Sequence, residues 1–251
     1  MSHVKIDGKK IFYTADGLSM DRTLLAIHGS GGDHTHWPDE LYNITGIGVC
    51  AVDLPGHGLS GGGGYNRVED YANFIELFVS QLDLNRVSLM GHSLGGAIVQ
   101  TLALRAPRWL SRIILVGTGA RLRVVPEILD GLITNFKTTI ELICDWQYSP
   151  TAPKALVDKG RTGLLKTPPE VTYGDLSACN QFDIMEKLKD IRLPVQIISA
   201  TADRLTPLKY GTYLHRHIVD SKFIVIEDAG HMRALEKPVE FTAGVSAFLD
   251  G

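Results

Sequence analysis

The chain has 251 residues, 44% apolar and 21% charged, with a net charge of −3 at pH 7. That length suits one large domain with a sizeable core, and the weak negative charge gives no basic field to hold nucleic acid or anionic lipid, so neither is an expected partner. No run reaches the roughly 18 apolar residues of a membrane span, the N-terminal MSHVKIDGKKIFY has no apolar leader core, and Cys50, Cys144 and Cys179 show no disulfide or zinc spacing. A cytoplasmic protein with no membrane span and with buried free thiols is expected.

Residues 4–6 and 11–13 flank Asp7-Gly8, a hairpin signal, which predicts two antiparallel strands at one sheet edge. Residues 24–27 (LLAI) form a continuous apolar run, as suits a strand covered on both faces, and end at His28-Gly29-Ser30-Gly31-Gly32. Residues 46–54 repeat the pattern and lead into Pro55-Gly56-His57-Gly58-Leu59-Ser60 and four glycines, read as a flexible loop. Tyr71, Phe74, Ile75, Phe78, Val79 and Leu82 then fall on one face of a helix.

Residues 87–97 (VSLMGHSLGGA) read as strand, tight turn and helix with Ser93 at the apex, and Gly91 and Gly95 supply the small neighbours that such a turn needs. The helix ends near Arg105, before Pro107, and residues 113–116 give another buried strand. From about residue 118 to 187 the β/α alternation breaks into helix-length segments punctuated by Pro126, Pro150, Pro153 and Pro168-Pro169. Leu129, Leu132, Ile133 and Phe136 share a helical face there, which either lines an acyl pocket or packs the insertion against itself. Strands resume at 195–198 and 223–226, with helices from about 207 to 217 and from 239 to 249. The alternation predicts an α/β fold, a mostly parallel sheet with helices on both faces plus a helical insertion.

A serine hydroxyl is a weak nucleophile without a base to take its proton and a third group to orient that base. Of nine histidines, His231 follows the last strand, where loops face the same crevice as the Ser93 turn. His28 and His57 read as loop-shaping, His92 as facing away from the substrate side, and His3, His34, His36, His215 and His217 as surface residues. Asp203 is the favoured orienting acid because it lies between a buried strand and the next helix. Asp228 is its rival, but lies so near His231 that it would have to fold back to reach the ring.

The order Ser93, Asp203, His231 with its tight turn resembles the α/β-hydrolase superfamily over nearly the whole chain. The resemblance implies an oxyanion hole from the backbone N–H groups of Ser30, in the His28-Gly29-Ser30 loop, and Leu94. It makes Asp53, in the loop that with Trp37 is similar to the family's second hallmark, structural. It also implies a core of residues 1–117 and 188–251 and a cap of 118–187. Ala200, where glycine is usual, and the four glycines depart from the pattern, which bears on subfamily.

The expected activity is a serine carboxylesterase cleaving small or medium, largely uncharged acyl esters with water through an acyl-enzyme. A serine rather than an aspartate at the turn argues against the dehalogenase and epoxide-hydrolase branches. Hydrolysis of a C–C bond in a diketone, a thioesterase, a perhydrolase, or a ligand-binding receptor with a slow triad would keep the same residues. With no nicotinamide motif, Walker loop or metal-ligand cluster in the sequence, no cofactor and no metal are expected. The oligomeric state is not legible.

Overall fold

A computed structural model describes residues 2–18 and 21–251. Strands β1 (Ser2–Ile6) and β2 (Lys9–Asp16) form the expected hairpin, with Asp7 (φ 47°) and Gly8 (φ 79°) both left-handed, the two-residue turn whose twist matches that of the strands. Among the described residues six further strands follow: β3 (Thr23–Ile27), β4 (Gly48–Val52), β5 (Val87–His92), β6 (Leu110–Val116), β7 (Val195–Ala200) and β8 (Lys222–Ile226). The sheet order is β1-β2-β4-β3-β5-β6-β7-β8; β1 and β2 run antiparallel to their neighbours and all pairings from β4 to β8 are parallel.

Every residue of β3, β4 and β5 is buried, which is why these strands read as continuous apolar runs rather than alternating ones. Their side chains divide by period two. Leu25 and Ile27 share an apolar cluster with Phe74 and Phe78 of α1 (Val68–Gln81) and Ile98 and Leu102 of α2 (Leu94–Arg105), whereas Leu24 and Ala26 join Trp37, Leu41, Phe241 and Phe248 in a second.

Between β6 and β7 the chain builds a helical insertion of α3 (Pro126–Thr134), α4 (Phe136–Gln147), α5 (Lys154–Leu164) and α6 (Pro169–Gln181). Pro126 and Pro169 each open a helix, where a missing N–H costs nothing. The insertion has its own apolar cluster, built from residues such as Ile128, Leu132, Ile140, Ile143 and Leu164, with Met232 reaching in from the core. The fold closes with α7 (Lys209–His217), the short α8 (Arg233–Glu236) and α9 (Pro238–Asp250). No helix among the described residues is long and apolar enough to cross a membrane.

The four-glycine stretch differs from the flexible loop expected of it. Gly61 N–H donates to Lys10 O (2.8 Å), Gly56 N–H donates to Gly61 O (3.1 Å), and a Cβ on Gly56 would stand 2.6 Å from Gly64 N. The glycines allow backbone to touch backbone here.

Candidate active site

The chain leaves β5 at His92 and enters α2 at Leu94, so Ser93 must turn it within one residue, and it does so at φ 55°, ψ −113°. A side chain in that region is strained, and the surroundings hold it there. Ser93 N–H donates to Val116 O (3.0 Å), and its carbonyl accepts from Thr118 Oγ1 (2.9 Å) and from Gly96 N–H (2.9 Å). A Cβ on Gly91 would lie 2.2 Å from Gly95 O, and one on Gly95 would lie 2.2 Å from Ile27 O, so both positions exclude any larger residue. Ser93 is left half-exposed between buried neighbours at the N-terminus of α2.

Facing it is the loop after β3. Gly29 passes so close that a Cβ there would be 3.1 Å from Ser93 Cβ. Among the described residues, neither Ser30 N–H nor Leu94 N–H donates to a protein acceptor. The next peptide is held from the insertion instead: Gly31 N–H donates to Asp175 Oδ2 of α6 (2.9 Å), and Gly31 O accepts from Thr167 Oγ1 (2.8 Å). Asp175, wholly buried, also accepts from His57 Nε2 (2.8 Å) and Tyr71 Oη (2.5 Å). Since His57 Nδ1 faces Pro55 O (3.1 Å) as well, both ring nitrogens face acceptors, as an imidazolium requires. Burial pulls the His57 pKa down, but the Asp175 carboxylate outweighs it and leaves the value raised. His28 is the neutral counterpart, its Nδ1 donating to Gly29 O (2.8 Å) and its Nε2 accepting from Leu54 N–H (3.0 Å), while burial holds its pKa well below the ordinary value. Asp53 accepts from His34 N–H (2.7 Å) and Leu59 N–H (2.8 Å), which ties two loops together.

His231 Nδ1 lies 2.9 Å from Asp203 Oδ2, both side chains being buried. Asp203 accepts four further bonds, from Leu205 N–H (2.9 Å), Thr206 N–H (2.9 Å), Thr206 Oγ1 (2.7 Å) and the wholly buried Arg233 guanidinium. Burial alone would raise the Asp203 pKa, but His231, by charge and hydrogen bond, and then Arg233 hold it well below the usual carboxylate range. Asp228, in contrast, is exposed at φ 54°, and its N–H donates to Thr201 Oγ1 (3.0 Å). His231 is also fixed through its backbone: its N–H donates to Gln147 O of α4 (2.6 Å) and its carbonyl accepts from His92 Nε2 (3.0 Å). His92 is kept neutral by burial, reinforced by the neighbouring His231 and His36.

Ser93, Ser30 and His231 line one small cavity of about 50 Å³, walled by insertion residues including Ile140, Leu164 and Thr172. Ser93 also lines a second of about 310 Å³, whose apolar wall includes Leu122, Val124, Ile128, Ile143 and Leu176. None of Leu129, Leu132, Ile133 and Phe136, the helical face expected as a pocket lining, reaches either cavity. Leu132 packs in the insertion's own cluster with Phe136 against it, Leu129 is half-buried, and Ile133 is 68% exposed. Helical spacing marks a buried face but not what covers it.

His36 is a further correction, because the ring expected at the surface lines the small cavity beside His92, its Nδ1 buried without a partner and its pKa lowered to about 4 by burial. Arg233, Thr206, Asp175 and Thr167 were not singled out in the sequence. Only Arg233 leaves a trace, as a cation two positions after His231 on an otherwise apolar turn. Among the described residues, no group of three or more His, Cys, Asp or Glu side chains is placed to hold a metal ion.

The model of the Alpha/beta hydrolase family matches residues 24–245. Pimeloyl-[acyl-carrier protein] methyl ester esterase of Neisseria meningitidis serogroup C / serotype 2a is 28% identical over 244 residues, spanning 90% of this chain and 92% of that protein. A solved thermophilic esterase is 36% identical at a TM-score of 0.85, spanning 99% of this chain and 96% of its own. The enol-lactonase from Burkholderia xenovorans LB400, 21% identical, superposes over the whole of both chains at a TM-score of 0.92, a likeness of fold. With the strand order, the tight turn at Ser93 and the helical insertion already in view, the chain belongs to the alpha/beta hydrolase family.

Proposed function

We propose that the protein is a serine carboxylesterase in which Ser93 attacks an ester carbonyl, His231 takes the hydroxyl proton and Asp203 orients and charge-balances the imidazole. The observation that carries this reading is the meeting of Ser93, His231 and the unoccupied N–H of Ser30 around one cavity, with Leu94 N–H beside the nucleophile. As the carbonyl carbon becomes tetrahedral, negative charge gathers on its oxygen. Two preset N–H donors and the positive end of α2 then stabilise the transition state more than the ground state. His231 returns the proton to the leaving alcohol, and water, activated by the same ring, releases the acid from Ser93.

In this reading residues 118–187 act as the cap and residues 1–117 with 188–251 as the catalytic core. Ester rather than C–C bond cleavage is favoured because an esterase is the 36%-identical structural relative. The test is labelling by a fluorophosphonate together with turnover of short acyl esters. Ser93→Ala is expected to abolish the label and to lower turnover by roughly 10⁴- to 10⁶-fold. A label that persists in Ser93→Ala overturns the assignment.

A further inference from the structure

The larger cavity at Ser93 is electrically one-sided. Among the described residues, Arg123, Arg204 and Lys209 line it and no aspartate or glutamate does, although acids outnumber bases in the chain as a whole, 28 to 25. Arg123 is partly answered, donating to Asn180 O (2.9 Å) and lying 3.9 Å from Asp183. Among the described residues, Arg204 and Lys209 have no carboxylate within salt-bridge distance. Arg204 is not a free-swinging surface arginine, because its guanidinium sits over the ring of Trp146, 5.9 Å from the centroid, and Trp146 lines the same cavity. Lys209 is exposed and opens α7, whose first turn carries no acid. The cavity that these cations share with Ser93 is otherwise lined mainly by apolar side chains, Leu122, Val124, Ile128, Ile143 and Leu176 among them.

We infer that this cavity takes an acyl chain ending in a carboxylate, so that the ester group lies at Ser93, the methylenes lie along Ile128, Ile143 and Leu176, and the far carboxylate meets Arg204 and Lys209. The substrate class is then the half ester of a dicarboxylic acid, in place of the largely uncharged ester expected from sequence. The inference rests on the esterase reading for its chemistry but not for its binding. A carboxylate offered to a planar guanidinium held on an indole makes charge-assisted bonds without first ordering a mobile side chain. Arg204 and Lys209 are exposed, so the attraction is screened by solvent and salt.

Two measurements separate the parts. Binding of adipate, compared with hexanamide, is followed by calorimetry on the wild type, Arg204→Gln, Lys209→Gln and the double variant; Lys209 stands on α7, apart from the Asp203 turn. Methyl half esters of C4 to C8 dicarboxylic acids are then compared, by proton release, with methyl esters of monocarboxylic acids of equal length. The expected result is adipate binding that weakens with salt and with each substitution, and a kcat/KM preference of about tenfold or more for the half ester at one chain length, expressed in KM and falling towards one in the double variant. Equal binding of adipate and hexanamide, or a preference unchanged in the double variant, overturns the inference. Adipate binding that responds to the substitutions, with no ester hydrolysed, upholds the anion site and overturns the esterase reading instead.

Discussion

Asp203 is held by five donors, and their arrangement explains why it, and not the nearer Asp228, serves His231. An acid three positions away in the same loop points wherever the turn sends it, and Asp228 is sent to solvent. Asp203 sits after β7 in a turn closed by its own bonds to Leu205 and Thr206 N–H, which aims Oδ2 at the ring. Asp203→Asn is expected to leave the fold intact and to cut turnover by about 10⁴-fold, since an amide favours the wrong tautomer. Asp228→Asn should change it little. Measured kcat/KM with a melting curve for each variant checks this, and the reverse ranking would refute the assignment. At this scale the sequence is legible where chemistry is local: the small residues around Ser93 and the placement of His231 after a strand are short-range signals. His36 is not legible and Arg233 only faintly so, because each acquires its place from a neighbour distant in sequence.

Among the elements, the cap decides most and is read least well from sequence. Its proline-punctuated helices are apparent, but the periodicity of Leu129, Leu132, Ile133 and Phe136 says only that a helix has an apolar side. The wall near Ser93 comes instead from Ile128, Ile143 and Leu176, drawn from three different helices. Leu176→Ala or Ile143→Ala is therefore expected to shift the preferred acyl length, at about 1–3 kcal/mol per methylene of changed contact. Leu132→Ala should cost roughly 2–5 kcal/mol of stability without altering the length profile, and Ile133→Ala should do neither. Specificity constants across an acyl series, measured beside denaturant midpoints, distinguish these outcomes. The cap is also a scaffold. Asp175 and Thr167 hold the peptide after Ser30, and Gln147 O holds the backbone of His231, so the cap's position fixes the loops that carry Ser30 and His231. Asp175→Asn is expected to lower kcat more than it raises KM, because in the proposed mechanism it loosens an oxyanion donor rather than a substrate contact. A change confined to KM would place Asp175 in substrate binding instead.

For the whole molecule, the parallel interior was legible because strands buried on both faces show unbroken apolar runs, whereas the strand order depends on crossovers that leave no local mark. The buried His57–Asp175 pair gives the molecule a pH dependence of known sign. The folded pKa of His57 is raised, so the stability this pair contributes is fully present below the unfolded value of about 6.5 and is lost as pH rises through the folded value. Asp203, depressed, works at the other end, contributing above the unfolded carboxylate value of about 3.9 and losing that contribution on acidification. Melting temperatures from pH 6 to about 10 should therefore fall more steeply in the wild type than in His57→Gln, and parallel profiles would show that the pair carries no such linkage. The same pair bears on traffic. A cap that swung away would break the Asp175 bonds to Gly31, His57 and Tyr71, so substrate is expected to enter with the cap in place, through a fixed opening. Such a fixed doorway sorts molecules by width and acts on those that arrive singly from solution: with an emulsified ester the rate should level off at the solubility limit and show no jump as droplets appear.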